Sequence, residues 1–112
     1  MQRDARAYLW EALRAAELLT EFSEGEDFDG YRSNAMLRSA VERQFEIIGE
    51  ALNQLSKVDS VLAGQVPDLG RIVAFRNILI HGYATVDDAL VWQVLTERLP
   101  GLIGVLRRLQ KT

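Results

Sequence analysis

The sequence predicts an all-α protein, a four- to five-helix up-down bundle, and three observations carry the prediction. Apolar residues recur at helical spacing through most of the chain, and no segment sustains the alternation of a strand. The connections between the periodic stretches are short, which sets neighbouring helices antiparallel. The length of 112 residues, 48% hydrophobic and 26% charged, suits one domain around one core.

The first helix is expected from Arg3 to Phe22. Ala5, Tyr8, Leu9, Ala12, Leu13, Ala16 and Leu19 share a broad face that neither Gly nor Pro interrupts. Trp10 lies off the centre of that face, at the edge of the core or against a second chain. Ser23 to Gly30 is a break in which Glu24, Glu26, Asp27 and Asp29 alternate with Gly25, Phe28 and Gly30. Their order is not that of an EF-hand loop, so a solvated acidic connector is expected rather than a calcium site. The longest helix spans Tyr31 to about Lys57, with Ser33 or Asn34 as N-cap. Its apolar arc runs from Met36 and Leu37 through Val41, Phe45 and Ile48 to Leu52 and Leu55, with Arg43 and Glu50 on the flank.

Val58 to Val66 reads as a linker with one helical turn, Ser60 to Ala63. Pro67 suits the first position of the next helix, with Asp68 in its first turn. That helix should run to about His81, and Gly82 fits the left-handed residue usual just past a helix end. Thr85 and Asp88 have the spacing of a capping box for the last helix. That helix extends to about Gln110, and Pro100 should kink or split it. Arg107, Arg108 and Lys111 at its end complement the helix dipole.

Composition excludes several functions. The absence of cysteine removes disulfides and thiolate metal sites, and a single histidine argues against zinc. No metal and no cofactor is therefore expected. Charges recur through the first thirty residues, so no signal peptide is expected. No uncharged run approaches the ~18 residues that span a bilayer. The expected home is the cytoplasm, without a membrane partner. The net charge of −3 gives no footprint for general nucleic-acid binding, so a nucleic-acid enzyme would need a local positive cleft.

The chemistry concentrates in Arg76-Asn77-Ile78-Leu79-Ile80-His81-Gly82-Tyr83. At about 100° per residue, Ile72, Leu79 and Tyr83 fall to one side of Arg76, and Val73 and Ile80 to the other. Arg76 thus sits near the middle of the apolar face. A guanidinium there needs a carboxylate, a phosphate or a wet cleft. Glu50 is the preferred carboxylate and Glu46 the second. Asn77 and His81, four residues apart, share a stripe at the edge of that face.

Three stretches together resemble the HepT-like branch of the HEPN superfamily. Residues 76–83 resemble its R-N-x-x-x-H-x-Y motif. Phe45-Glu46-Ile47-Ile48-Gly49-Glu50-Ala51 resembles its central helix. Val86-Asp87 through Val91-Trp92, with Thr96-Glu97-Arg98-Leu99-Pro100, resembles its last helix. The resemblance implies a compact helical homodimer, the toxin half of a type VII-like toxin–antitoxin pair, whose antitoxin is an MntA-like nucleotidyltransferase. It implies metal-independent endoribonuclease action on RNA, with tRNA or mRNA as substrate. Arg76 and His81 match the catalytic pair, Asn77 the polar residue after the arginine, and Tyr83 the tyrosine that the antitoxin modifies with AMP. Residue chemistry agrees, because attack of a 2′-hydroxyl on its phosphate needs a base, an acid and a cation. One chain holds one imidazole, so a symmetric dimer would supply the second. Two other readings fit the same residues: a non-catalytic helical dimer for protein interaction, and a module that binds AMP or ATP through Arg76 and Tyr83.

Overall fold

The fold is that of a computed structural model, which describes residues 4–82 and 86–111. It is all-α, with helices α1 (Ala5–Ser23), α2 (Phe28–Ser33), α3 (Ala35–Val58), α4 (Ser60–Ala63), α5 (Leu69–His81), α6 (Asp88–Gln93) and α7 (Leu99–Lys111). A π-helical turn, Val94–Arg98, joins α6 to α7. The four longest are α1, α3, α5 and α7.

Short polar side chains start most of these helices, because each helix leaves its first N–H groups without an internal partner. Asp4, Asp27, Asn34, Asp59 and Asp87 accept hydrogen bonds from the first turns of α1, α2, α3, α4 and α6. Asn34 rather than Ser33 is thus the cap of the long helix. The expected acidic connector is shorter than its residues suggested: Asp27 caps α2, and Asp29 pairs with Arg32 at 3.2 Å. Tyr31 consequently belongs to α2, not to the start of the long helix, and its ring is fully buried against Trp92 at 5.4 Å. Gly25, with φ +77°, makes the left-handed turn after α1 that a side chain would oppose.

α1 packs most extensively on α3, and α7 closes on α1. Three alanines, Ala12, Ala15 and Ala16, lie buried between Leu9 and Leu19 and let α1 approach closely. Val41, Phe45, Ile48, Ala51, Leu52 and Leu55 complete the seam from α3. Each leucine buried this fully contributes roughly 1.5–3 kcal/mol. Met36, expected in that arc, is instead 82% exposed, because it sits in the first turn of α3 beyond the end of the packed seam. Trp10 is also exposed.

Other expectations near the helix ends change. Pro67 is not the first helical residue: α5 begins at Leu69 after Asp68, whose φ of 59° is left-handed. Gly82 is right-handed, with φ −76°, and its N–H donates to the Ile78 carbonyl at 2.7 Å. A Cβ at Gly82 would collide with that carbonyl and meet Val86 Cγ2 at 3.4 Å, so crowding rather than handedness suits glycine there. The last helix starts at Asp88 with Asp87 as its cap, and the expected cap Thr85 lies outside the described residues. Pro100 sits in the first turn of α7, and the expected division of the last helix falls just before it. The π-turn just before it takes up the extra residue, with Leu99 N–H bonded to Val94 O. The stretch 88–111 is long and apolar enough by composition to cross a membrane. Here it lays Val91, Leu95, Leu99, Ile103, Leu106 and Leu109 into the core.

Candidate functional site

The site is built where α5 crosses α3. α5 packs chiefly on α3, with Leu79 buried and Phe75 set edge-on to Phe45 at 5.2 Å. Arg76 falls at the crossing. Its aliphatic stem lies over Gly49, so closely that a Cβ on residue 49 would overlap the Arg76 Cβ and stand 2.8 Å from its Cγ. Gly49 sits inside the 24-residue α3 and is buried. Glycine there costs up to ~1 kcal/mol relative to alanine in helix propensity. The close approach of α5 is the physical reason for it.

The Arg76 side chain is 22% exposed and reaches the acidic flank of α3. Nη2 donates to Glu50 Oε2 at 2.5 Å, and Nη1 donates to Asn77 Oδ1 at 2.8 Å. Glu50 Oε1 in turn accepts from Gln54 Nε2 at 3.1 Å. Hydrogen bonds therefore run from Gln54 through Glu50 and Arg76 to Asn77. Glu46, the second candidate partner, pairs with Arg43 at 3.4 Å instead. Arg76 Nε is buried without a hydrogen-bond partner among the described residues. A donor left in that state is costly, so the Nε–H retains an unmet demand for an acceptor, although the charge itself is paired with Glu50.

His81 ends α5 and is exposed. Five residues separate it from Arg76, about 140° around the helix and ~7.5 Å along its axis. The structure therefore brings Arg76, Asn77 and Glu50 together and sets His81 on a different azimuth of the same helix. Tyr83 lies outside the described residues. Sequence reasoning missed Gly49 and Gln54. The signal for Gly49 was a lone glycine inside a long apolar period; for Gln54 it was the i, i+4 spacing from Glu50.

Beyond Arg76, the other flank of α5 is unpartnered. Ile72, Phe75 and Ile78 face Leu90, Val94, Leu102 and Val105 across a groove of 690 Å³. Asp68, Arg71, Glu97 and Arg98 are the charged residues lining it. Ile78 is 49% exposed and Leu90 37%.

An all-helical bundle that presents an arginine, the following asparagine and a histidine from a helix packed on its long central helix has the form of a HEPN-type domain. The family can be stated more narrowly. The chain belongs to the ribonuclease HepT-like proteins, whose family model matches residues 12–109. It is 36% identical over 99 residues to the Methanocaldococcus jannaschii protein named "Putative RNase MJ1380", covering 88% of this chain and 90% of the relative. It is 32% identical over 111 residues to the Thermococcus cleftensis protein named "Probable ribonuclease HepT", covering 99% and 100%. A third relative, "Putative RNase TTE0752" of Caldanaerobacter subterraneus, is 33% identical over 97 residues, covering 87% and 86%. No solved structure matches the chain.

Proposed function

We propose that this chain is a metal-independent endoribonuclease that acts on tRNA or mRNA as a homodimer, the toxin of a toxin–antitoxin pair. The observation that carries the reading is Arg76: a half-sheltered guanidinium with a buried, unmet Nε–H. It is carried in a chain of the ribonuclease HepT-like family. A phosphodiester, with one negative charge shared over two non-bridging oxygens, is a fork partner to which such a group donates bidentately.

In the proposed reaction the RNA 2′-oxygen attacks the adjacent phosphorus and its proton passes to a neutral imidazole. The bond from phosphorus to the 5′-oxygen breaks, and a second, protonated imidazole gives its proton to the leaving oxygen. The products are a 2′,3′-cyclic phosphate and a 5′-hydroxyl. Arg76 holds the phosphate and stabilises the charge that grows on it. The two imidazoles are His81 of each protomer, because the sequence has no other histidine. Histidine suits both roles because its ordinary pKa lies near neutrality. Asn77 and Glu50 support Arg76. The groove beside α5 supports pairing of two copies: a helix with apolar residues on both flanks seeks cover on both. AMP transferred to Tyr83 by a nucleotidyltransferase antitoxin silences the protein by adding a bulky anion two residues after His81 in the sequence. The cytoplasm is where RNA and such a partner meet it.

The test is cleavage of a tRNA transcript and of single-stranded RNA with EDTA present. Wild type should leave cyclic-phosphate ends. Arg76→Ala and His81→Ala should each lose at least ~10²-fold while keeping the oligomeric state of wild type. Equal cleavage by the variants, or none by wild type, would return the groove to the second reading, a non-catalytic interaction or nucleotide-binding dimer. Intact mass after co-expression with the antitoxin should show additions of AMP that Tyr83→Phe abolishes.

A further inference from the structure

We propose that Gly49 is a positioning residue for Arg76: a notch in α3 that lets the arginine stem pass and delivers its guanidinium to Glu50. The inference rests on the reading of Arg76 as the phosphate-binding cation. Two observations meet here. A Cβ at residue 49 would overlap the Arg76 Cβ and stand 2.8 Å from Cγ and 3.3 Å from Cδ. Glu50, the next residue along α3, accepts from Arg76 Nη2. Notch and tether are thus adjacent residues of one helix.

The geometry leaves little room for adjustment. The atom that a new methyl group strikes first is the Arg76 Cβ, which is fixed to the α5 backbone and cannot rotate away. Relief requires α5 itself to move off α3 or turn about its axis. Either motion draws the guanidinium away from Glu50 and, through it, from Gln54 Nε2, which holds the other carboxylate oxygen. Three glycines of the longer helices α5 and α7 differ. A Cβ at Gly70, Gly101 or Gly104 meets nothing within 4 Å. Gly104 lies on α7 outside the groove and supplies the matched control.

The experiment compares wild type, Gly49→Ala and Gly104→Ala by RNA cleavage and by the ¹H–¹⁵N resonance of the Arg76 side-chain Nε–H. That resonance is identified by its loss in Arg76→Lys. Gly49→Ala should cut at least tenfold more slowly and shift or broaden the Arg76 resonance, while Gly104→Ala changes neither. A folded Gly49→Ala protein that cleaves within twofold of wild type, or that leaves the resonance in place, overturns the proposal. Should wild type cut no RNA, the ribonuclease reading fails, and the resonance alone still decides whether Gly49 places Arg76. If Gly49→Ala does not fold, the same substitution is made in an Arg76→Gly background, where the overlapping stem is gone. Recovery of a cooperative melt there supports the notch; failure to recover shows that Gly49 serves other packing, and the proposal falls.

Discussion

The buried Tyr31 and the half-buried Glu42 show how burial acts on single groups. The Tyr31 ring is fully buried against Trp92, yet its hydroxyl has no hydrogen-bond partner among the described residues. Burial first, then the charges of Glu42 and Asp88, push its pKa up, so it stays neutral. Losing an unsatisfied buried hydroxyl removes a desolvation cost, and Tyr31→Phe should be neutral or stabilising by up to ~1 kcal/mol in urea unfolding. The Glu42 carboxyl is also pushed up, first by burial and then by Asp88 and Glu46, with Arg38 opposing. A folded pKa above the unfolded one means that the native state holds the proton more tightly. Ionisation therefore costs stability as pH rises through the carboxylate range. Glu42→Gln should raise Tm at neutral pH, and the gain should fade as pH falls below the ordinary value of 4.5. At Arg76 the sequence already placed a cation on an apolar face and preferred Glu50 as its partner, which is the pair the fold forms. It could not show Gln54 behind Glu50, because a hydrogen bond between two side chains at i, i+4 is one of many that spacing permits.

At the scale of the element, caps and breaks decided what periodicity could not. The last helix was placed by its apolar stripe, but its start depends on which of several polar residues turns its side chain back. Asp87 does so, accepting from Ala89 and Leu90 at 3.0 and 3.3 Å. Asp87→Ala should cost about 1 kcal/mol by thermal or urea unfolding. Pro100 announced a disturbance, and the chain meets it with the π-turn just before it, in and after which Leu95 and Leu99 stay buried. The two glycine substitutions should separate cleanly on stability. Gly104→Ala, in open space, should stabilise by about 0.5–1 kcal/mol, whereas Gly49→Ala should destabilise despite the better helix propensity of alanine.

The molecule as a whole carries an asymmetry. α1, α3 and α7 share the core, while α5 lies on α3 and leaves a groove of 690 Å³ on its other side. The proposed dimer covers that groove, whose charged lining is Asp68, Arg71, Glu97 and Arg98. Ile78→Lys and Leu90→Lys place charge on exposed apolar positions without touching the buried seam. Each should shift sedimentation toward the monomer at unchanged helical content. Cleavage should fall in parallel, since one chain offers one imidazole.

What the sequence determined by itself was the fold class, the family and the stretch proposed to carry the chemistry. Helical period, short connections and the absence of strand alternation required an all-α bundle. The eight residues from Arg76 to Tyr83, with the central-helix pattern, marked the candidate site. These are local properties, written in spacing along the chain. What only the tertiary structure decided was long-range: that Gly49 lies under Arg76, that Glu50 rather than Glu46 closes on it, and that α5 keeps an uncovered flank. Each depends on the angle and separation at which α5 crosses α3. That crossing is set by side-chain volumes on both helices at once, so no periodicity in either helix alone contains it.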